Sequence, residues 1–219
     1  MLMEAAREQM VEQQVRASDV LDERILNTLR AVPRERFVPQ GWRGLAFADC
    51  EIALPCGKRM LRPMLVGQIL QALALKGGEE VLEIGTGSGY LSACLAQLGG
   101  RVVSLELHQE IADFARANLQ AVAPGLPIEV VGADAMQLAD ESRYDAIVLT
   151  ASLPIYQARF EQALRPGGRM FVVVGSTTLQ EASLVHRVGA GGCNSESLFE
   201  TCIEPLEHAP RPPAFGFYP

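Results

Sequence analysis

The chain has 219 residues, of which 48% are hydrophobic and 21% charged, and its formal net charge is -7 at pH 7. This length and composition are typical of one folded globular domain with a small additional element, and they leave no room for a second independent core. Only two of the 19 basic residues are lysines, Lys58 and Lys76, and no basic run occurs. Nucleic acid is therefore excluded as an expected partner.

The N-terminus and the cysteines indicate the compartment. The first residues, MLMEAAREQMVEQQVRASD, carry charges where a signal peptide needs an unbroken apolar core, and no run of 18 apolar residues occurs. The five cysteines are odd in number and lack the spacing of metal ligands. We expect a cytoplasmic protein without a membrane segment or metal site, whose cysteines are reduced and mostly buried.

The first part of the chain is predicted to be helical and then irregular. One helix is expected from Met3 to Val15, and a second over DERILNTLRAV, with Asp22 as its N-cap and Pro33 ending it. Residues 37–62 show little periodicity, which predicts a loop-rich connector. We assign residues 1–62 to an N-terminal helical cap with a substrate-side connector. Pro63 fits the first turn of a third helix.

From residue 80 onward, buried apolar runs alternate with amphipathic segments. The predicted strands are EVLEIG, RVVSLEL, IEVVGAD, YDAIVLT and GGRMFVVVG. This alternation is typical of a doubly wound α/β fold, a parallel sheet with helices on both faces. After Gly175, two further apolar runs flank a glycine-rich turn and predict an edge hairpin, followed by a proline-rich surface tail. Residues 63–175 form the expected core, and residues 176–219 complete the same domain.

A glycine-rich loop follows the first of these strands. In VLEIGTGSGYLSACLA the strand is expected to end at Ile84 and a helix to begin at about Ser88. Glycines at 85, 87 and 89 permit a tight turn and a close ligand approach to a helix N-terminus, which indicates a nucleotide-like cofactor. The dinucleotide fingerprint requires a small residue where this chain has Tyr90, so a dehydrogenase is disfavoured. A tight turn without a ligand is the alternative.

Acidic residues at the strand ends support a cofactor cleft. Glu106 ends the second strand, where a carboxylate can accept both ribose hydroxyls, and Asp134 ends the third at the adenine side. Glu83 lies inside the first strand, and we expect it to be buried and to bind loop amides or a cationic ligand group. A purely structural buried acid is the alternative for Glu83.

These motifs, in this order, resemble class I S-adenosylmethionine-dependent methyltransferases. The flanking segments MVEQQVR, DERIL, VPRERFVP and the connector before GKRMLRPML are similar to those of protein-L-isoaspartate O-methyltransferases, over about residues 10–174. The resemblance implies a Rossmann-like sheet of seven strands, mostly parallel, whose last strand runs antiparallel. It also implies S-adenosyl-L-methionine as the cofactor and S-adenosyl-L-homocysteine as the product.

The resemblance implies where the cofactor lies. The methionyl part is expected by Gly85, Thr86, Gly87, Gly89 and Tyr90, the ribose by Glu106, and the adenine by Asp134 and Ala135. The full set of expected cofactor-binding residues also includes Glu83, Leu107 and Thr150.

The substrate-side loop departs from the family pattern. That family carries a serine or threonine, one further residue and a proline, whereas this chain has Leu61, Arg62 and Pro63. Arg59 and Arg62 could bind a carboxylate in place of the hydroxyl, or the pocket could accept another substrate. The alternative is that both arginines are solvated and play no part. The catalytic residue is not assigned.

Repair of isoaspartyl residues in damaged proteins is the activity that the resemblance implies, with a carboxylate as methyl acceptor. One alternative is a methyltransferase for another oxygen or nitrogen nucleophile, such as a small acid or a different protein. A second is a cofactor-binding protein without catalysis that acts through a partner surface. We expect a monomer or a weak dimer.

Overall fold

Seven strands form the central sheet of the computed structural model, which describes residues 2–176, 179–189 and 192–213. A two-stranded antiparallel pair comes first in the chain: β1 (Ile52–Ala53) and β2 (Arg59–Met60). The sheet strands are β3 (Glu80–Ile84), β4 (Arg101–Glu106), β5 (Ile128–Gly132), β6 (Tyr144–Leu149), β7 (Leu164–Ser176), β8 (Leu179–Val188) and β9 (Gly192–Thr201). Their order is β5-β4-β3-β6-β7-β8-β9, so the winding reverses on the two sides of β3. A doubly wound sheet binds ligands at such a switch point, outside the carboxyl ends of its strands.

The strand directions confirm the predicted fold and refine one detail. Strands β5, β4, β3, β6 and β7 pair in parallel, whereas β7 with β8 and β8 with β9 pair antiparallel. The reversed strand is therefore β8, and β9 runs in the direction of β7. The last strand, β9, was expected to run against the rest of the sheet, but it is antiparallel only to its neighbour β8. The edge hairpin is confirmed in β8 and β9, while residues 190 and 191 of its turn lie outside the described residues.

Six α-helices of the described residues cover the sheet and form the cap: α1 (Leu2–Met10), α2 (Glu23–Ala31), α3 (Pro63–Leu73), α4 (Tyr90–Gln97), α5 (Gln109–Val122) and α6 (Arg159–Ala163). The first predicted helix is confirmed in its first part, and from Val11 to Val15 the chain continues as a π turn. Asp22 caps α2 as predicted, since its side chain accepts a hydrogen bond of 2.8 Å from the backbone N–H of Arg24. Pro63 occupies the first turn of α3.

Successive side chains of the sheet strands point to opposite faces and pack into two hydrophobic cores, one on each face. On β3, Val81 belongs to the cluster that includes residues of the cap, α3 and α4, whereas Leu82 belongs to the cluster that includes residues of α6. The cap has no core of its own: Val11 and Leu26 lie in the same cluster as Val148 of β6. The cap is therefore fixed against the sheet, at the end where the glycine loop lies.

The cysteines only partly follow the expectation. All five lie in the described ranges, but only Cys94 is buried, and Cys56 and Cys202 are exposed. The expectation of mostly buried thiols was wrong because the connector and β9 lie at the surface. Among the described residues, no helix is both long and apolar enough to span a bilayer. The expected surface tail is exposed at residues 210–213, and residues 214–219 lie outside the described residues.

Candidate functional site

The glycine loop between β3 and α4 is in close contact with Thr150, the residue that follows β6. Gly85 has a φ of 92°, and a Cβ there would collide with the hydroxyl oxygen of Thr150. The Thr150 hydroxyl lies 3.0 Å from the carbonyl oxygen of Ile84 and 2.7 Å from that of Gly85. Helix α4 begins at Tyr90 rather than at Ser88. The predicted turn is therefore present, and Thr150 supports its backbone.

Two acidic strand ends organise the neighbouring loops. Glu106 is buried, and its carboxylate accepts hydrogen bonds of 3.1 Å from the backbone N–H groups of Gly87 and of His108. Asp134 accepts a bond of 2.9 Å from the backbone N–H of Met136, and its other oxygen lies 2.9 Å from Nδ1 of His208. Both carboxylates thus lie at the carboxyl ends of adjacent parallel strands, as predicted.

The larger of two adjoining cavities, of about 110 Å³, opens at these strand ends. Nine of the predicted site residues line it: Arg59, Leu61, Gly85, Gly87, Glu106, Leu107, Asp134, Ala135 and Thr150. Its wall also holds carboxylates that sequence reasoning did not assign, at Glu51, Glu204 and Glu207. Its five carboxylates exceed its two lysine and arginine cations, so the cavity favours a ligand with positive charge.

The smaller cavity, of about 40 Å³, lies beneath the loop at residues 59–61. It shares lining with the larger cavity and adds predicted residues Glu83, Thr86 and Tyr90. Two predicted residues line neither cavity. Gly89 packs under Leu119 of α5, and Arg62 reaches the hydroxyl of Thr201 at 3.5 Å. Arg62 is therefore placed beside β9 and not in the pocket.

Glu83 is fully buried, as expected, but its partners differ from those expected. One oxygen accepts hydrogen bonds from the hydroxyls of Ser92 and Ser104, and the other has no partner among the described residues. Burial raises the pKa of Glu83 to about 7. Neither the predicted loop amides nor any cation of the described chain binds it, which leaves one carboxylate oxygen free at the smaller cavity.

Arg34 is a second buried charge at this cavity, which sequence reasoning did not assign to the site. Its Nε donates to the carbonyl oxygen of Ala46 at 2.9 Å, and its Nη2 donates to that of Leu61 at 2.8 Å. The guanidinium lies 5.0 Å from the ring centroid of Tyr90. Burial lowers the pKa of Arg34. The only sequence signal was its place in the VPRERFVP motif.

Leu61 and Arg59, both in the substrate-side loop, have different surroundings. Leu61 occupies the position where the family has a hydroxyl, and it lines both cavities. Arg59 is half exposed at the rim, with Nε 3.3 Å from Glu204 and 3.8 Å from Glu51. Arg59 is therefore already paired with carboxylates and is not free to receive a substrate anion without exchanging partners.

A C-terminal strap, defined as residues 203–209, covers the larger cavity. Its backbone pairs with Ser152: the N–H of Ser152 donates to the carbonyl of Glu204, and the N–H of Leu206 donates to that of Ser152, both at 2.8 Å. Glu207 forms a salt bridge with Lys58 and lies 3.0 Å from Nε2 of His108. These two partners lower the pKa of Glu207 to about 2. The described residues contain no cluster of potential metal ligands.

The chain matches known proteins along most of its length. The profile of the protein-L-isoaspartate(D-aspartate) O-methyltransferase family matches residues 5–208. A protein-L-isoaspartate O-methyltransferase from Aeropyrum pernix is 36% identical over 212 residues, covering 94% of this chain and 82% of its own. Another, from Methanoculleus marisnigri, is 42% identical over 185 residues, covering 84% of each chain.

Solved structures share the fold. A Plasmodium falciparum protein named as a protein-L-isoaspartate O-methyltransferase, solved with S-adenosyl-L-homocysteine, superposes with a TM-score of 0.82 at 20% identity, covering 92% of this chain and 98% of its own. A second solved protein-L-isoaspartate O-methyltransferase gives a TM-score of 0.79 at 23% identity and covers 91% and 65%. These superpositions agree with the predicted fold, and the profile and the curated relatives identify the group: the chain belongs to the protein-L-isoaspartate(D-aspartate) O-methyltransferase family.

Proposed function

We propose that this protein is an S-adenosylmethionine-dependent methyltransferase that methylates the carboxylate of isoaspartyl residues in damaged proteins. The observation that carries the proposal is the pair of adjoining cavities at the carboxyl ends of β3, β4, β5 and β6, lined by the glycine loop, Glu106 and Asp134. The names of the relatives support the same activity.

The residues present fit this cofactor. Glu106 and Leu107 would hold the ribose, Asp134 and Ala135 the adenine, and the glycine loop with Thr86 and Tyr90 the methionyl part. The excess of carboxylates in the larger cavity suits a sulfonium cation. When bound, the cofactor supplies an electrophilic methyl group. The unpaired oxygen of Glu83 remains available to a cationic part of the ligand.

The chain must then position the acceptor and exclude water. A carboxylate with a pKa of about 4 is already ionised at neutral pH, so the reaction needs no general base. Holding the two reactants in line at roughly 3–3.5 Å can supply several kcal/mol of the barrier. The loop with Arg59 and Leu61 forms the wall on which the acceptor would lie, and the strap with Glu207 closes the cofactor side.

The cellular setting is part of the same proposal. Cys50, Cys56, Cys94 and Cys193 are free, which agrees with a reducing compartment, and we place the protein in the cytoplasm as a repair enzyme. Its partners are proteins or peptides that carry isoaspartate, and it acts as a monomer or a weak dimer.

A second candidate is methylation of a different acceptor, such as a small acid. It is favoured by the loop itself: Leu61 offers no hydrogen bond, and Arg59 is paired with Glu204. The same fold and cofactor would serve both reactions, so only the acceptor distinguishes the two candidates.

Transfer of labelled methyl to synthetic peptides tests the proposal. An isoaspartyl peptide should acquire base-labile label, and the matched peptide with normal aspartate should not. Label on a small acid or on a cell extract, with none on the isoaspartyl peptide, would select the second candidate. If no acceptor is labelled while the cofactor binds, a non-catalytic role follows and the proposal fails.

A further inference from the structure

Arg59 is a half-exposed cation in the wall of the larger cavity, on the side proposed for the acceptor. Its Nε lies 3.3 Å from Oε1 of Glu204 and 3.8 Å from Oε2 of Glu51, and all three residues line this cavity. Neither contact is a hydrogen bond, and none of the N–H groups of Arg59 has an acceptor within the described parts of the chain. The guanidinium therefore attracts two carboxylates while its donors stay available.

The two carboxylates are held in different ways. Glu51 directly precedes β1, which pairs with the strand β2 that carries Arg59, and burial raises the pKa of the Glu51 carboxyl group. Glu204 belongs to the C-terminal strap, and its side chain is 41% exposed, whereas that of Glu51 is 29% exposed. Glu51 is thus fixed to the same hairpin as Arg59, and Glu204 comes from a distant part of the chain.

The side chain of Glu204 can leave Arg59 without any movement of the strap. The backbone carbonyl of Glu204 accepts a hydrogen bond of 2.8 Å from the N–H of Ser152, and this bond does not involve the carboxylate. Exposed ion pairs contribute little to stability, so the contact with Arg59 can be broken at little cost. Rotation of one side chain is enough to free the guanidinium.

We propose that Glu204 occupies the subsite of the acceptor carboxylate and exchanges with that carboxylate on Arg59. The inference rests on the proposed function, and it names the group that holds this subsite while no acceptor is bound. A substrate carboxylate can accept two parallel hydrogen bonds from a guanidinium, whereas Glu204 accepts none from Arg59. The substrate is therefore the stronger partner and displaces Glu204.

The same exchange separates substrate from product. Methyl transfer forms a bond between the methyl carbon and a carboxylate oxygen and breaks the bond from that carbon to the sulfonium sulfur, which leaves a neutral ester and a thioether. The ester has lost the charge that makes a strong partner for Arg59. Glu204 then returns to the guanidinium, so Arg59 is paired before and after the reaction and the ester is not retained.

Initial rates at several concentrations of an isoaspartyl peptide test the proposal. Glu204→Gln should lower the KM for the peptide about 1.5- to 5-fold with kcat little changed, because the amide does not compete for the guanidinium. Arg59→Gln should raise the KM about 10- to 100-fold, because the carboxylate loses a charged donor. Arg59→Lys keeps the charge but not the paired donors, and its KM should lie between those of wild type and Arg59→Gln.

Two further measurements show that the carboxylate is what Glu204 competes with. In the Arg59→Gln background, Glu204→Gln should lower the KM by less than it does in the wild type, since no guanidinium is left to compete for. The methyl ester of the same peptide should inhibit the wild type and Glu204→Gln with the same Ki, because an ester does not displace Glu204 from Arg59.

Two variants serve as matched controls. Glu196→Gln removes a negative charge from the exposed part of β9, and Arg62→Gln removes a positive charge from the loop that carries Arg59. Neither Glu196 nor Arg62 lines a cavity. Both variants should leave the KM for the isoaspartyl peptide unchanged.

Two results would overturn the inference. One is a KM in Glu204→Gln that equals or exceeds that of the wild type, since Glu204 would then not compete with the acceptor. The other is an equal fall in KM in Glu204→Gln and Glu196→Gln, which net charge alone would explain. A wild type that transfers no methyl group to the isoaspartyl peptide would instead remove the proposed function, and the inference with it.

Discussion

The Arg34 guanidinium holds the carbonyl oxygen of Leu61 at 2.8 Å, and it is itself fixed by the carbonyl oxygen of Ala46. The substrate-side loop is therefore attached to the cap through its backbone, at the residue that replaces the family's hydroxyl. Because this attachment does not use the leucine side chain, position 61 can be changed without releasing the loop.

Leu61→Ser should raise the rate of isoaspartyl methylation by about 2- to 10-fold, since a hydroxyl there would regain a hydrogen bond to the acceptor carboxylate. Leu61→Ala is the matched control, because it removes the leucine without adding a donor. Initial rates with an isoaspartyl peptide measure the effect. A similar gain in both variants would show that the bulk of the leucine side chain, and not the missing hydroxyl, limits the methylation rate of the wild type.

Glu106→Ala should weaken S-adenosyl-L-homocysteine by about 1–3 kcal/mol, because the ribose hydroxyls would lose their acceptor. The amides of Gly87 and His108 would also lose theirs, so the loss includes loosening of two loops. Calorimetry measures the affinity, with Glu129→Ala on the exposed part of β5 as control. Unchanged affinity in Glu106→Ala would remove this residue from the site.

Gly85→Ala and Gly125→Ala form a matched pair, since both glycines have a φ of 92°. No described atom lies within 4 Å of a Cβ at Gly125, whereas a Cβ at Gly85 meets Thr150. Backbone strain should cost each variant about 1–2 kcal/mol, and Gly85→Ala should lose about 1–3 kcal/mol more. Denaturant unfolding measures both. Equal losses would mean that the glycine loop moves away from β6 at no cost.

Glu83 should make stability depend on pH. Burial raises its pKa from 4.5 to about 7, so between these values the folded state binds a proton that the unfolded state has released. The free energy of unfolding should therefore fall as pH rises from about 4.5 to 7, by about 3 kcal/mol, and stay lower above pH 7.

Glu83→Gln provides the comparison, because the amide cannot ionise. Urea unfolding at several pH values between 5 and 8 should show the variant gaining on the wild type as pH rises. A difference between the two proteins that is constant over this range would contradict the raised pKa.

Glu207→Gln should speed the release of S-adenosyl-L-homocysteine about 1.5- to 5-fold, since Lys58 and His108 would lose a charged partner that holds the strap. Stopped-flow displacement measures the release rate. The gap between variant and wild type should narrow at high salt, because exposed pairs are screened. Glu196→Gln, on the exposed part of β9, should have no effect. A similar acceleration in that variant would point to net charge instead of the contacts of Glu207 with Lys58 and His108.

Much of the sheet could be predicted because its strands are continuous apolar runs, and the parallel pairing then brings Glu106 and Asp134 to one edge. The glycine loop could also be predicted, because closely spaced glycines between a buried strand and a helix are typical of a tight turn that a ligand can approach. The strands and the glycine loop are therefore both determined by short stretches of sequence, which is why they could be predicted.

Arg34 and the strap could not be predicted in this way. An arginine in a charged segment is expected at the surface, and its burial depends on the carbonyl groups of Ala46 and Leu61, which only the fold brings near. The strap has no periodicity, and its position is set by backbone bonds to Ser152. Helix α6 has only five residues, and no side chain caps its N-terminus.

The strap also bears on how the protein is made. The wall of the larger cavity includes Glu51 and Lys58 on one side and Glu207 on the other, so the pocket draws on early and late parts of the chain. A chain still on the ribosome cannot complete this wall until residue 207 has emerged. Tight cofactor binding is thus expected only after nearly the whole domain has been synthesised, and the ligand then stabilises the completed fold by about 2.7 kcal/mol at 100 times its Kd.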